Sequence, residues 1–197
     1  MLILFRQGKG VIPERGVNFV LAMDNETFDL KILDLHWIKD EDDPNDLCAH
    51  GHIYLKIGEE IISDKEKGNW NLSSVALSLM RTIENNYRKG DNGNQLLPCC
   101  GHFIIANENE EFVTILGCSN GIDWTITHKN EFVEHITENG QKGVINKAEY
   151  KKLIYSFADK VEEFYKDSQP KIIPEDEFDR KGYLTFWKEW RRLRNKI

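Results

Sequence analysis

The hydrophobic pattern changes period partway along the chain. Before residue 70 the apolar residues come in short runs and alternations. Val17 to Met23 is a compact apolar run, and Phe28 to Ile38 interleaves Leu30, Ile32, Leu33, Leu35 and Trp37 with charges. The alternation slips phase at Ile32-Leu33, which predicts a bulge or bend in an otherwise extended segment. Ile53 to Ile62 reads as a hairpin turning near Gly58-Glu59. From Leu72 the spacing lengthens to three and four: Leu72, Val75, Ala76, Leu79, Met80, Ile83 and Tyr87 predict a helix over 72–88, with Asn71 or Ser73 able to cap its start. Asp91-Asn92-Gly93-Asn94 supplies turn residues to end it.

Gln95 to Ala106, Phe112 to Cys118 and Ile122 to His128 then predict three consecutive antiparallel strands, the first two joined by the short polar stretch 107–111. The clearest helical stripe is Tyr150, Leu153, Ile154, Phe157, Val161, Phe164 and Tyr165, giving a helix over 147–166. Asn146 followed by Glu149 forms a box-like cap at its start. Pro170 and Pro174 bracket a linker. A last helix over 183–194 gathers Tyr183, Phe186, Trp187, Trp190 and Leu193 on one side. Strands in the first two-thirds with helices behind them predict an α+β fold: a mainly antiparallel sheet packed by two or three helices. A single domain over 1–197 is expected, with 169–197 a linker plus a helix packing on it, and neither repeats nor low-complexity tracts divide it.

Composition narrows the function classes. At 197 residues, 40% hydrophobic, the chain is long enough to bury a core. A net charge of -7 argues against direct nucleic-acid binding, which needs a basic footprint. No stretch approaches the roughly 20 apolar residues of a membrane span. The apolar run at Met1–Phe5 is too short for a secretory core and lacks a basic region before it. A cytoplasmic location is therefore expected, with cysteines present as thiols or ligands rather than disulfides. Charge is unevenly placed: Asp24 to Glu66 holds 13 acidic and 4 basic residues, and Trp187 to Ile197 five basic and one acidic. The segment Asp40, Glu41, Asp42, Asp43 and Asp46 is the candidate surface for a basic protein partner. It does not fit a calcium loop, because Pro44 stands at the fifth position and no glycine at the sixth.

Every cysteine lies in three short segments, Cys48-Ala49-His50-Gly51-His52, Cys99-Cys100-Gly101-His102 and Gly117-Cys118-Ser119-Asn120-Gly121-Ile122-Asp123. On extended strands, Cys48, His50 and His52 would share a face, as would Cys100 and His102. Neighbouring strands would then offer Cys48, His50, Cys100 and His102 as a tetrahedral zinc set. One intervening residue is tighter than the two to four of most structural zinc sites, and buried cysteine often serves only as a small hydrophobe. Cys118, with Asp123, His102 or His50 to activate it, is a candidate nucleophile without a protease signature around it. The bland alternative is that Gly117 and Gly121 serve a turn that Asp123 hydrogen-bonds. Phosphate loops, dinucleotide fingerprints and His-Glu-x-x-His helices are absent from the sequence.

The segments Asp46-Leu47-Cys48-Ala49-His50-Gly51, Trp70-Asn71-Leu72-Ser73-Ser74-Val75-Ala76-Leu77, Leu97-Pro98-Cys99-Cys100-Gly101-His102 and Asn120-Gly121-Ile122-Asp123-Trp124 resemble those of small uncharacterised bacterial proteins. In size and acidity the chain is similar to immunity proteins of polymorphic toxin systems. The resemblance implies a cytoplasmic, non-enzymatic protein that binds and blocks a cognate toxin. The rival expectation is a zinc- or thiol-dependent enzyme built on the cysteine–histidine cluster.

Overall fold

The computed structural model describes residues 27–91, 95–101 and 103–195. The Val17–Met23 run, the secretory reading of the N-terminus, the centre of the 91–94 turn and His102 lie outside them. The elements in chain order are β1 (Phe28–Ile32), β2 (His50–Gly51), β3 (Ile53–Ile57), β4 (Glu60–Ser63), β5 (Trp70–Asn71), α1 (Leu72–Arg81), β6 (Phe103–Ala106), β7 (Val113–Leu116), β8 (Thr125–Lys129), β9 (Phe132–Ile136), β10 (Lys142–Asn146), α2 (Lys147–Lys166) and α3 (Glu177–Arg194). They form a mixed α+β fold with four small antiparallel sheets, ordered β1-β3-β4, β10-β9-β8, β2-β5 and β6-β7. No described helix is long and apolar enough to cross a membrane.

Period-two burial drives the first sheet. Phe28 and Leu30 of β1, and Ile53, Leu55 and Ile57 of β3, point into the core while their neighbours are partly exposed. α1 is buried on nearly every side: Leu72 through Met80 are all buried, Ser73, Ser74 and Ser78 among them. A helix of that kind belongs at the centre of a domain, and α1 lies against both α2 and α3. Ser73, on its first turn, is hydrogen-bonded to two other segments. Ser73 Oγ accepts from Ala49 N at 2.9 Å and meets the Tyr165 hydroxyl at 3.0 Å. The Tyr165 hydroxyl also donates to Leu47 O at 2.7 Å and accepts from Ala49 N at 3.1 Å, so α2 is fastened to the segment before β2.

The helix expected over 72–88 stops at Arg81. Thr82 caps it, its hydroxyl donating to Leu79 O at 2.7 Å, and Tyr87 leaves helical geometry to bridge Ile126 through two backbone bonds of 2.8 and 2.9 Å. The strand expected over 95–106 is regular only at 103–106, and β8 pairs with β9 rather than with β7. α3 begins six residues earlier than its apolar stripe, at Glu177, because the Asp176 side chain accepts from Phe178 N and Asp179 N. α2 runs over 147–166 as expected, with Asn146 accepting from Ala148 N at 2.8 Å.

α3 reaches the β6–β7 ribbon closely. A Cβ on Gly182 would lie 1.8 Å from Ile104 O, so the absence of a side chain permits this approach. A buried ion pair joins three elements: Arg81 Nε and Nη2 of α1 each stand 2.8 Å from a Glu189 oxygen of α3, and Glu189 also accepts from Val113 N of β7 at 2.9 Å.

Candidate functional site

The β6–β7 hairpin pairs Phe103 with Leu116 and Ala106 with Val113. That register brings Cys99 and Cys100, just before β6, beside Cys118, just after β7. The three sulfur atoms all lie within 4.8 Å of one another. Cys99 and Cys118 are paired as a disulfide, which corrects the expectation of cysteines held only as thiols or ligands. Cys100 is free, 3.7 Å from Cys99 Sγ, and its sulfur accepts from Cys118 N at 3.3 Å. Together these groups staple the base of the ribbon.

Cys48 lines one cavity with Gly101, the residue after Cys100. Burial pushes the Cys48 thiol up to about 11, against the favourable influence of the Asn71 amide. Such a thiol is the reverse of an activated nucleophile. His50 is buried, with Nδ1 against Cys48 O at 2.9 Å, and burial lowers its pKa. Of the four residues expected to share zinc, Cys48 and Cys100 are thus near neighbours, His50 is turned to a backbone carbonyl, and His102 lies outside the described residues.

Histidines form a second cluster with Asp34. His50 sits across an antiparallel bridge from His36. His52 Nδ1 is 3.0 Å from both oxygens of Asp34, His36 Nδ1 is 3.3 Å from Oδ1, and His52 N donates to the same carboxylate at 3.1 Å. Burial opposes ionisation of Asp34, but the bonds from His52 and His36 outweigh it and lower the pKa. A Cβ on Gly51 would come within 2.2 Å of Asp34 O, so this glycine lets the two segments meet. The Asp34–His36–His52 group joins these segments, and its three ligand atoms lie within 4.8 Å of one another, close enough to hold a metal ion.

The acidic segment is largely structural. Lys171 Nζ contacts Asp42 Oδ1 at 2.8 Å and Asp43 O at 2.9 Å while lying 3.3 Å from the centre of the Trp37 ring. Gln169 N donates to Asp42 at 2.7 Å, and Ile172 N to Pro44 O at 2.8 Å. Asp46 accepts from Ile38 N and Cys48 N, and Asp43 from Asn45 N. The bond from Lys171 lowers the Asp42 pKa, and bonds from Asn45 lower that of Asp43. Asp42 and the Asp43 carbonyl strap the linker to the domain, and Asp46 holds the local backbone; Asp40 and Glu41 remain exposed at the surface.

Asp123 organises the segment around residues 87–96. Its oxygens accept from the Tyr87 hydroxyl at 3.0 Å, Gly90 N at 2.9 Å, Leu96 N at 3.2 Å and Trp124 N at 3.1 Å. Burial raises its pKa in spite of those donors. Asp123 thus hydrogen-bonds as expected of it, but its partners lie in the 87–96 segment and at Trp124 rather than in the turn at Gly117 and Gly121.

The outer face of the ribbon is different in kind. Phe103 is 54% exposed and Leu116, directly opposite, 39%, and Phe112 beside the hairpin tip is 48% exposed. The tip carries Glu108, Glu110 and Glu111, all exposed. An apolar patch thus has an acidic border, and it stands on the cysteine staple.

Fold and site together define an α+β protein with a stapled, amphipathic hairpin as its most distinctive surface. Searches against protein-family models, curated proteins and solved structures return no match.

Proposed function

We propose that the chain is a non-enzymatic, cytoplasmic binding protein for a basic protein partner, and that the β6–β7 ribbon is its contact face. The observation that carries this is the exposed Phe103–Leu116 pair next to Phe112 and three tip glutamates. An apolar centre with a charged rim is how protein interfaces are built: buried aromatic anchors supply affinity, and the rim steers the approach. A net charge of -7 adds long-range attraction for a basic surface. The ribbon is favoured over the 40–46 segment because Asp42, Asp43 and Asp46 already serve the chain's own linker and backbone. A toxin domain is the partner class that the sequence resemblance implies.

A photo-crosslinking residue at position 103 tests this, with one at Ile38, another exposed apolar site, as the control. Position 103 is expected to trap a basic protein in yields that fall with salt, and replacing Glu108, Glu110 and Glu111 with lysine should abolish the adduct. Equal trapping at Ile38, or a purified partner whose affinity ignores the charge reversal, would remove the reading. For a toxin, co-expression should protect the host and the lysine variant should not.

A further inference from the structure

We infer that Cys99, Cys100 and Cys118, when reduced, form a thiolate site for zinc at the base of the β6–β7 ribbon. A tetrahedral zinc–thiolate centre has metal–sulfur distances of about 2.3 Å, which places adjacent sulfurs about 3.8 Å apart. Cys99 Sγ and Cys100 Sγ stand 3.7 Å apart, and Cys118 Sγ, bonded to Cys99 in this structure and freed on reduction, lies within 4.8 Å of both. The Cα atoms of Cys99 and Cys118 are 7.0 Å apart. That lies just beyond the roughly 4.4–6.8 Å usual for a directly bonded pair. An ion between two thiolates holds them farther apart than a covalent bond does, so the backbone spacing suits a bridged pair.

One backbone donor is turned to a sulfur of the cluster, and buried polar groups lie next to Gly101. Cys118 N–H is aimed at Cys100 Sγ, 3.3 Å away, an outer-shell contact that orients a metal-bound thiolate. Asn71 Nδ2 and Ser74 Oγ are buried and lack a hydrogen-bond partner. Both lie against Gly101: its Cβ, if present, would be 2.8 Å from Asn71 Nδ2 and 3.4 Å from Ser74 Oγ. Asn71 is held in this pose because its carbonyl oxygen caps α1 through Ser74 N at 3.0 Å. These buried polar groups border Gly101, the residue after Cys100, and the Asn71 amide also meets the Cys48 thiol. The site differs from the Cys48–His50–Cys100–His102 set: it takes its ligands from the two strand ends of one hairpin. It stands apart from the partner reading, since a ribbon can be stapled whether or not its outer face is occupied.

The full chain, purified in a non-chelating reductant, should bind cobalt(II) one to one. The tetrahedral ligand-field bands and sulfur-to-cobalt charge transfer of a thiolate centre should appear, and zinc should displace the ion. In a parallel measurement on the same wild-type chain, bound zinc should slow alkylation of Cys99, Cys100 and Cys118 by about tenfold or more, and Cys100→Ser should weaken zinc by a similar factor. The proposal is overturned if the reduced chain takes up no stoichiometric cobalt. It also falls if the bands survive Cys100→Ser, or if the three cysteines alkylate equally fast with and without zinc. Should Cys100→Ser fail to fold, the wild-type alkylation pattern decides.

Discussion

Glu189→Ala should be among the most damaging single substitutions in the molecule. The Glu189 side chain is 2% exposed and the Arg81 side chain 17%. The carboxylate takes two bonds of 2.8 Å from the guanidinium and one of 2.9 Å from Val113 N, while Arg81 Nη2 donates to Val113 O at 2.6 Å. Truncation leaves a largely buried cation and a buried backbone N–H without their acceptor. Breaking a buried pair from one side costs about 3–5 kcal/mol. Glu189→Gln keeps the shape and an acceptor but loses the charge, and about 1.5–3 kcal/mol is expected. Replacing both partners with methionine removes the orphaned cation and should recover much of the loss, leaving a coupling energy of about 2 kcal/mol or more in the double-mutant cycle.

Urea unfolding at neutral pH measures wild type, Glu189→Met, Arg81→Met and the double variant for the cycle, with Glu189→Ala and Glu189→Gln beside them, and constant slopes are needed for the comparison. If Glu189→Ala costs less than about 1 kcal/mol, or if the two single effects simply add, the pair does not join α1, β7 and α3 in the way described.

Two other outcomes follow from the core. His135 is fully buried, stacked on Phe28 at 3.8 Å and accepting from Trp124 Nε1 at 3.1 Å, and burial lowers its pKa to about 3. The unfolded chain therefore binds this proton below about pH 6.5 while the folded chain does not. Stability should fall with decreasing pH from there to about pH 3, at up to about 1.4 kcal/mol per unit from this group, and a folded His135→Gln variant followed by thermal unfolding should show a shallower slope. Gly182→Ala must push α3 from Ile104 O, costing about 1–3 kcal/mol or more, and hydrogen exchange should show the β6–β7 amides opening first; unchanged exchange and stability would contradict the close approach.

What was legible in the sequence depended on whether burial followed chemistry. α2 was readable because its buried stripe is apolar and Asn146 marks its start. β9 and β10 were not, because their inward positions include His135 and Gly143, a polar residue and one without a side chain, which hide the alternation. The 83–88 stretch has helical spacing, yet Tyr87 is recruited by a strand bridge to Ile126 and by Asp123, contacts that exist only in three dimensions. At the cysteine cluster the hairpin itself was visible, since 107–111 joins two apolar runs. Carrying that pairing outward leads from Phe103 and Leu116 to Cys99, Cys100 and Cys118. Strand alternation alone pointed instead to Cys48 and the histidines, whose rings face a carbonyl or Asp34.

The Tyr165 hydroxyl sets an order on biosynthesis. Its partners Leu47, Ala49 and Ser73 leave the ribosome some 90 to 120 residues before it does. Until the tyrosine arrives, the carbonyl of Leu47 has no such donor, and α1, buried on nearly all sides in the fold, has no α2 to cover it. A nascent chain ending before residue 147 should therefore be sticky and protease-sensitive, and native burial of the segments before α2 must await synthesis of that helix.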